Sequence, residues 1–406
     1  MNKYRDIMGR LNYALFLTVV ALLPFPQLFL RYACVAWIIA WVLELRWLEI
    51  SNIKFQLSNS KFTIPFLLFG LWFIGHVISG LWAPDHSAWG TQIERYISFG
   101  ALIPVGIWGV NERYDWRQVG KVLIVSCLCA IVFYPTLLTF LFYHRAFIDV
   151  HQWTAPLWDY SSQEWWSFYS TNLSHIKHNL FLCLIMYVAA LIAVELYRGR
   201  WLLLVPIETL LFSFSLLTGS RQALLTGMVL LIGIVLTELP HRIRRYSIGI
   251  VLVGIVTGIS LLAVHPRMQK ERLHQEPRMK IWRFALEHPQ DYLTHGLGGG
   301  QSTDYLIHKY EENNAFFYIM VRYHSHNQYL EELMELGIGG LLIFLLAWMS
   351  IPLCASGSGR KTAWLFSIMM MLCMLTECIF AVFCGVALWA VSMILIRLQS
   401  DGKRQE

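Results

Sequence analysis

The sequence predicts an all-α integral membrane protein, and three observations carry that expectation. Of its 406 residues, 56% are hydrophobic and only 14% are charged, where a soluble chain carries about a quarter charged residues. Several apolar runs approach the roughly 20 residues that a helix needs to cross a bilayer. Lysine and arginine alternate in abundance from one loop to the next, as they do when loops face opposite sides of a membrane.

Taken in order, apolar runs place spans at 11–28, 31–47, 63–82, 93–110, 120–143, 173–195, 201–218, 222–239, 246–264, 327–353, 362–376 and 379–397, about twelve in all. With the N-terminus inside, the inward segments hold nineteen Lys and Arg, whereas the short outward loops hold only Arg31, Arg95, Arg145 and Arg221. Both termini are therefore expected in the cytoplasm, with two long loops, 144–171 and 265–325, outside. The chain divides into spans one to nine (1–264), the large outer loop (265–325), and spans ten to twelve with a cytoplasmic tail (326–406). The basic start MNKYRDIMGR lacks a small-residue cleavage site and reads as a retained flank. The net charge of +6 follows the loop asymmetry, so it gives no reason to expect nucleic acid. The eight cysteines lie almost entirely within apolar runs without metal-ligand spacing, and neither a disulfide framework nor a zinc site is expected.

Several polar groups are expensive where they sit. Arg221 interrupts LLTGSRQALL at a turn-like break, where a charge either faces a polar cavity or snorkels to the headgroups. RMKIWRFALEHPQ, from Arg278, reads as a short amphipathic helix with Ile281, Trp282, Ala285 and Leu286 on one face. Such a helix could lie on the membrane and hold Arg278 over a cavity. THGLGGGQ follows; with no Lys-Ser/Thr after its glycines it is no P-loop, and it suits a close approach of backbone. Trp153, Trp158, Trp165 and Trp166, with Tyr160, Phe168 and Tyr169, suit an interfacial belt or stacking on sugar rings. Lys177 and His178 open a span, and Glu377 lies in the outer turn between the last two.

The stretch RYHSHNQYLEELMELGIGG concentrates the most chemistry. Ser325 and Gln328 have capping-box spacing, which predicts a helix starting at His326. His326, Leu330, Leu333, Gly337 and Gly340 would then share one face, packed closely through the glycines. At the positive end of that helix the His326 ring would stay neutral and able to accept a proton; the alternative is a structural histidine. His324 and His326 as a metal pair is a further alternative, disfavoured because no carboxylate stands at partner spacing. The first outer loop, PFPQLFLR, contains no acid either.

The pattern H-N-x-x-L-x-x-L-x-x-x-G-x-x-G from His326 to Gly340, after a large outer loop, resembles the shared region of O-antigen ligases and polymerases. TGSR at Arg221, R-x-x-x-W from Arg278 to Trp282 and H-G-L-G from His295 to Gly298 are similar to the same superfamily. The resemblance implies a glycosyltransferase C-like membrane fold with a large helical periplasmic loop in a bacterial inner membrane. It implies a glycan donor linked to undecaprenyl diphosphate and, for a ligase, a lipid A–core acceptor. His326, Arg221 and Arg278 would be catalytic; Lys177, His178, Arg95, His295, His324, Asn327, Glu377 and Trp282 would contact substrates. No cofactor or metal is expected, and one displacement would invert the anomeric carbon. An O-antigen polymerase, a protein O-oligosaccharyltransferase and a polytopic transporter are the alternatives.

Overall fold

The computed structural model describes residues 2–44, 61–110, 113–150, 163–238, 249, 256 and 277–401. The expected ninth span, the first part of the large outer loop and Trp153, Trp158 and Tyr160 lie outside the described residues. The side chains of Trp165, Trp166 and Phe168 do so too. Among the described residues every regular element is a helix. A chain immersed in hydrocarbon must satisfy each backbone N–H and C=O within its own segment, and a helix does this.

The helices are α1 (Asn2–Leu22), α2 (Gln27–Leu43), α3 (Thr63–Ile78), α4 (His86–Pro104), α5 (Trp116–Val150), α6 (Gln163–Ile176), α7 (Asn179–Leu196) and α8 (Trp201–Thr218). They continue with α9 (Arg221–Glu238), α10 (Pro277–Ala285), α11 (Ser302–Glu312), α12 (Phe316–Val321), α13 (Gln328–Cys354), α14 (Gly359–Met374) and α15 (Phe383–Asp401). Among the described residues, seven helical segments are long and apolar enough to cross a membrane, namely α3 extended to Leu81, the stretch Trp116–Leu141 of α5, α7, α8, α9, α13 and α15. Eleven expected spans overlap described helices, although α1 and α4 begin well before residues 11 and 93, α1 ends before residue 28, α5 runs past residue 143 and α7 begins after residue 173.

The chain forms two compact units. One holds residues 16–34 and 116–274, and α7 runs through it with 89% of its apolar window buried. Small residues on that helix (Ala189, Ala190, Ala193) let neighbours approach closely, as packing between membrane helices requires. Asn179 donates to the Thr218 carbonyl at 2.8 Å and Tyr187 to that of Ala223 at 2.8 Å, tying α7 to the turn between α8 and α9.

The other unit holds residues 1–15, 35–115 and 275–406. Its core is aromatic: Phe69, Trp72, Phe99, Trp348, Phe380 and Trp389 pack mostly edge to face, with Trp348 and Phe380 stacked at 14°. The described end of the large loop folds onto this unit. Ile281, Ala285, Tyr292, Leu306 and Tyr310 are fully buried with Met334 of α13. The amphipathic helix predicted from Arg278 is therefore present (α10), and Ile281 and Ala285 of its apolar face pack with Tyr292, Leu306, Tyr310 and Met334. Leu286, expected on that face, is exposed.

The continuous face expected from His326 to Gly340 does not exist, because α13 breaks at Gly337, with φ 67° and ψ −167°. A break in a membrane helix strands backbone groups unless something satisfies them. Here the glycine-rich loop does so. Leu297 and Gly298 donate to the carbonyls of Met334 and Glu335 at 2.8 and 3.0 Å, and Ile338 donates to that of Leu293 at 2.8 Å. A Cβ on Gly296 would lie 2.2 Å from the Glu335 oxygen, so glycine is required for the approach. The close backbone contact expected of THGLGGGQ is thus made, with the break in α13 as its partner.

Candidate functional site

The turn entering α13 differs from the capping box that its spacing suggests. Asn327 is the N-cap, its side-chain oxygen accepting from the Leu330 N–H at 3.1 Å. Gln328 turns inward instead, donating to Glu332 at 2.8 Å and accepting from the Phe380 N–H at 3.0 Å. The helix begins at Gln328, and His326 stands outside it with φ +47°. That left-handed conformation is strained for a residue with a Cβ. It folds the two imidazoles onto each other, ring centroids 3.9 Å apart, with the His326 N–H donating to His324 Nδ1 at 3.2 Å.

His326 meets a carboxylate that lies 51 positions further along. Its Nδ1 stands 3.4 Å from Glu377 Oε1, and the other oxygen of Glu377 lies 3.8 Å from Arg278 Nη2. The two proposed catalytic groups of this unit therefore share one anion, supplied by the turn between α14 and α15. At that distance Nδ1 makes no hydrogen bond, so the contact is a charge set against the imidazole edge. The neighbour of the His326 ring is therefore this carboxylate, and His326 does not stand in the first turn of a helix. Burial lowers the pKa of His324, and His326 adds to the effect, so His324 stays neutral at pH 7.

His324, His326 and Glu377 offer ligand atoms within 4.8 Å of one another, as do His324, Glu331 and Cys378. The carboxylates that the sequence places at no partner spacing are brought there by the fold. Arg278 beside Glu377 opposes a cation in the first group.

Behind this turn lies a polar network for which the sequence raised no expectation. Glu331 accepts from Ser325 in a very short contact and meets Ser302 Oγ at 2.7 Å. Ser302 Oγ also meets Glu335 at 2.9 Å, and Glu335 accepts from Gln92 Nε2 at 3.2 Å. His76, fully buried on α3, stands 3.5 Å from Glu335 and 3.0 Å from Glu332, which also accepts from Trp72 at 2.6 Å. The available signal was EELMELG itself: three acids in one membrane helix are costly, as is a histidine inside the apolar run of α3.

The remaining predicted residues fall in different places. Trp282 donates to the Ser325 carbonyl at 2.9 Å, so it ties α10 to the histidine turn. His295 is exposed on the loop that fills the break, hydrogen-bonded to Thr294 at 2.9 Å, and Arg95 is exposed on α4. In the other unit, Arg221 is the first residue of α9, after Gly219 in the left-handed region, so the predicted break at TGSR is present. His178 stands just before α7 without capping it through its side chain, and packs on Phe181. Lys177 does not face a substrate: it is 1% exposed and donates to the carbonyls of Leu23 and Phe25 at 2.7 and 2.9 Å. A lysine at a span end repairs exposed carbonyls as readily as it binds a ligand, and here the carbonyls hold it.

Residues 209–345 match the family described as Wzy_C, O-antigen ligase. The match includes Arg221, Arg278, His295, His324, His326 and Asn327, and stops before Glu377. No curated protein matches the chain.

Proposed function

We propose that this chain, whose residues 209–345 match the O-antigen ligase family, transfers a glycan from undecaprenyl diphosphate to a lipid A–core acceptor. The observation that supports this most is the base and cation set on one carboxylate, with His326 at 3.4 Å and Arg278 at 3.8 Å from Glu377.

His326 Nε2 takes the proton of an acceptor hydroxyl while that oxygen bonds to the anomeric carbon. The bond from that carbon to the diphosphate breaks, and its electron pair leaves with the lipid diphosphate. Arg278 neutralises the departing oxygens, so no general acid is needed. A single displacement inverts the anomeric centre. Glu377 offsets the imidazolium. The site would face the periplasm of a bacterial inner membrane, as the loop charges imply.

Broken helices and buried carboxylates also occur in transporters. In this chain the loop from Leu293 to Gly298 occupies the backbone groups freed by the break, which favours a surface transferase. The test is transfer by purified protein from a lipid-linked glycan to defined acceptors, with and without chelator. Glycosylated lipid A–core, unchanged by chelator, supports the ligase. Glycan elongation, protein modification or donor translocation without transfer would each replace it with the corresponding reading.

A further inference from the structure

Ser302 carries a contradiction that identifies a hidden proton. Its hydroxyl holds one hydrogen and lies 2.7 Å from Glu331 Oε1 and 2.9 Å from Glu335 Oε1. One hydrogen serves one acceptor. The second contact, between two oxygens at hydrogen-bonding distance, needs a hydrogen from the carboxyl side. One of the two glutamates is therefore protonated, and a concerted shift through Ser302 exchanges the role between them.

This pair connects two imidazoles. Glu331 lies beside His324, with polar atoms of the two side chains within 4.8 Å of each other. Glu335 lies 3.5 Å from His76 Nδ1, while His76 Nε2 faces Glu332 at 3.0 Å. Glu332 accepts from Trp72 and Gln328 and lies 3.0 Å from His76 Nε2. The other groups facing the network are Gln92, Tyr96, Ser325 and Cys378. Tyr96 packs against His76, and burial pushes the Cys378 thiol up, with Glu331 adding to it, so it stays protonated.

We propose that Glu331, Ser302, Glu335 and His76 form an internal proton store that resets His326. The inference rests on His326 as the base. The proton taken from the acceptor passes from the His326 imidazolium through His324 to Glu331. With Glu335 the protonated member at rest, Glu331 keeps the arriving proton, Ser302 turns its hydrogen from Glu331 to Glu335, and Glu335 passes its own proton to His76 Nδ1. One proton enters and one is added to His76, while the number of protonated carboxyls is unchanged. The His76 imidazolium then lies between two carboxylates, Glu332 and Glu335. The proton returns by the same path once the diphosphate has left. These four are positioning residues: they act on the substrate only through His326.

The test has two arms on the full-length protein in lipid discs. Infrared spectra of the resting protein should contain the carbonyl stretch of a protonated carboxyl, shifted by ¹³C-labelled glutamate and lost in Glu335→Gln and Glu331→Gln. Absence of that band from the wild-type protein overturns the proposal without touching the assignment of the base. In the second arm, Ser302→Ala and His76→Gln should lower kcat by up to about 10²-fold with unchanged donor KM, and added imidazole buffer should restore turnover. Loss that imidazole does not restore, or a changed KM with kcat intact, assigns the residues to structure and overturns the store. His326→Ala reports on the base separately: if it remains active, the base assignment fails whatever the infrared band shows.

Discussion

At His326 the reaction and the backbone meet. His326→Ala should lower turnover by about 10²–10⁴-fold, the usual contribution of a positioned base. Donor affinity should hold, because Asn327, not His326, caps α13. Glu377→Gln should cost less, since it keeps the shape but removes the charge that offsets the imidazolium; kinetics of both variants would rank the two. Arg278→Lys should not recover activity, because an ammonium lacks the planar fork that grips two phosphate oxygens. Wild-type rates in that variant would make Arg278 a partner of Glu377 and nothing more.

His324 makes the pH dependence explicit. Its folded pKa is lowered by burial and by His326. Its contribution to stability is thus present above the ordinary imidazole value of about 6.5 and is lost as pH falls through the lower folded value. Thermal unfolding should show Tm declining with acid across that window, and His324→Gln should flatten the decline. An unchanged slope would mean that another group governs it.

At the scale of the element, the break in α13 is what a single atom can destroy. Gly337→Ala would place a Cβ 2.6 Å from the Thr294 oxygen, at a positive φ. It should lose on the order of 1–3 kcal/mol from backbone strain alone, besides the clash. Asn327→Ala should lose about 1 kcal/mol as a missing cap. Denaturation of the two variants should give that order, and equal stabilities would mean that the loop does not depend on Gly337. The same comparison explains why His326 is aimed where it is. A continuous helix from His326 would carry it away from Glu377, whereas the left-handed turn before Asn327 folds it back.

At the scale of the molecule, the charge asymmetry predicts which side of the membrane the site faces. Single cysteines introduced in α11 or in the loop at Gly300 should react with an impermeant thiol reagent from the periplasmic side. Labelling only from the cytoplasm would overturn the orientation and with it the choice of lipid-linked donor.

What the sequence determined by itself was the class of solvent and most of the helices within it. Long apolar runs have one solution in hydrocarbon, which is why 201–218 coincides with α8 and the TGSR break with the start of α9. His326 and Arg278 stood out as candidates too, because charged and titratable groups are conspicuous in an oily chain. Three things waited for the tertiary structure. Ser325 and Gln328 have the spacing of a capping box, yet Gln328 finds better partners in Glu332 and Phe380, and Asn327 caps instead. Lys177 reads as a ligand for an anion until the carbonyls of Leu23 and Phe25 come within reach. Glu377 and His76 lie 51 and 250 positions from His326, and local spacing carries no information about contacts closed by folding. Helices follow from local periodicity and the solvent around them; the partners of a buried charge follow from whichever distant segments the packing brings within hydrogen-bonding range.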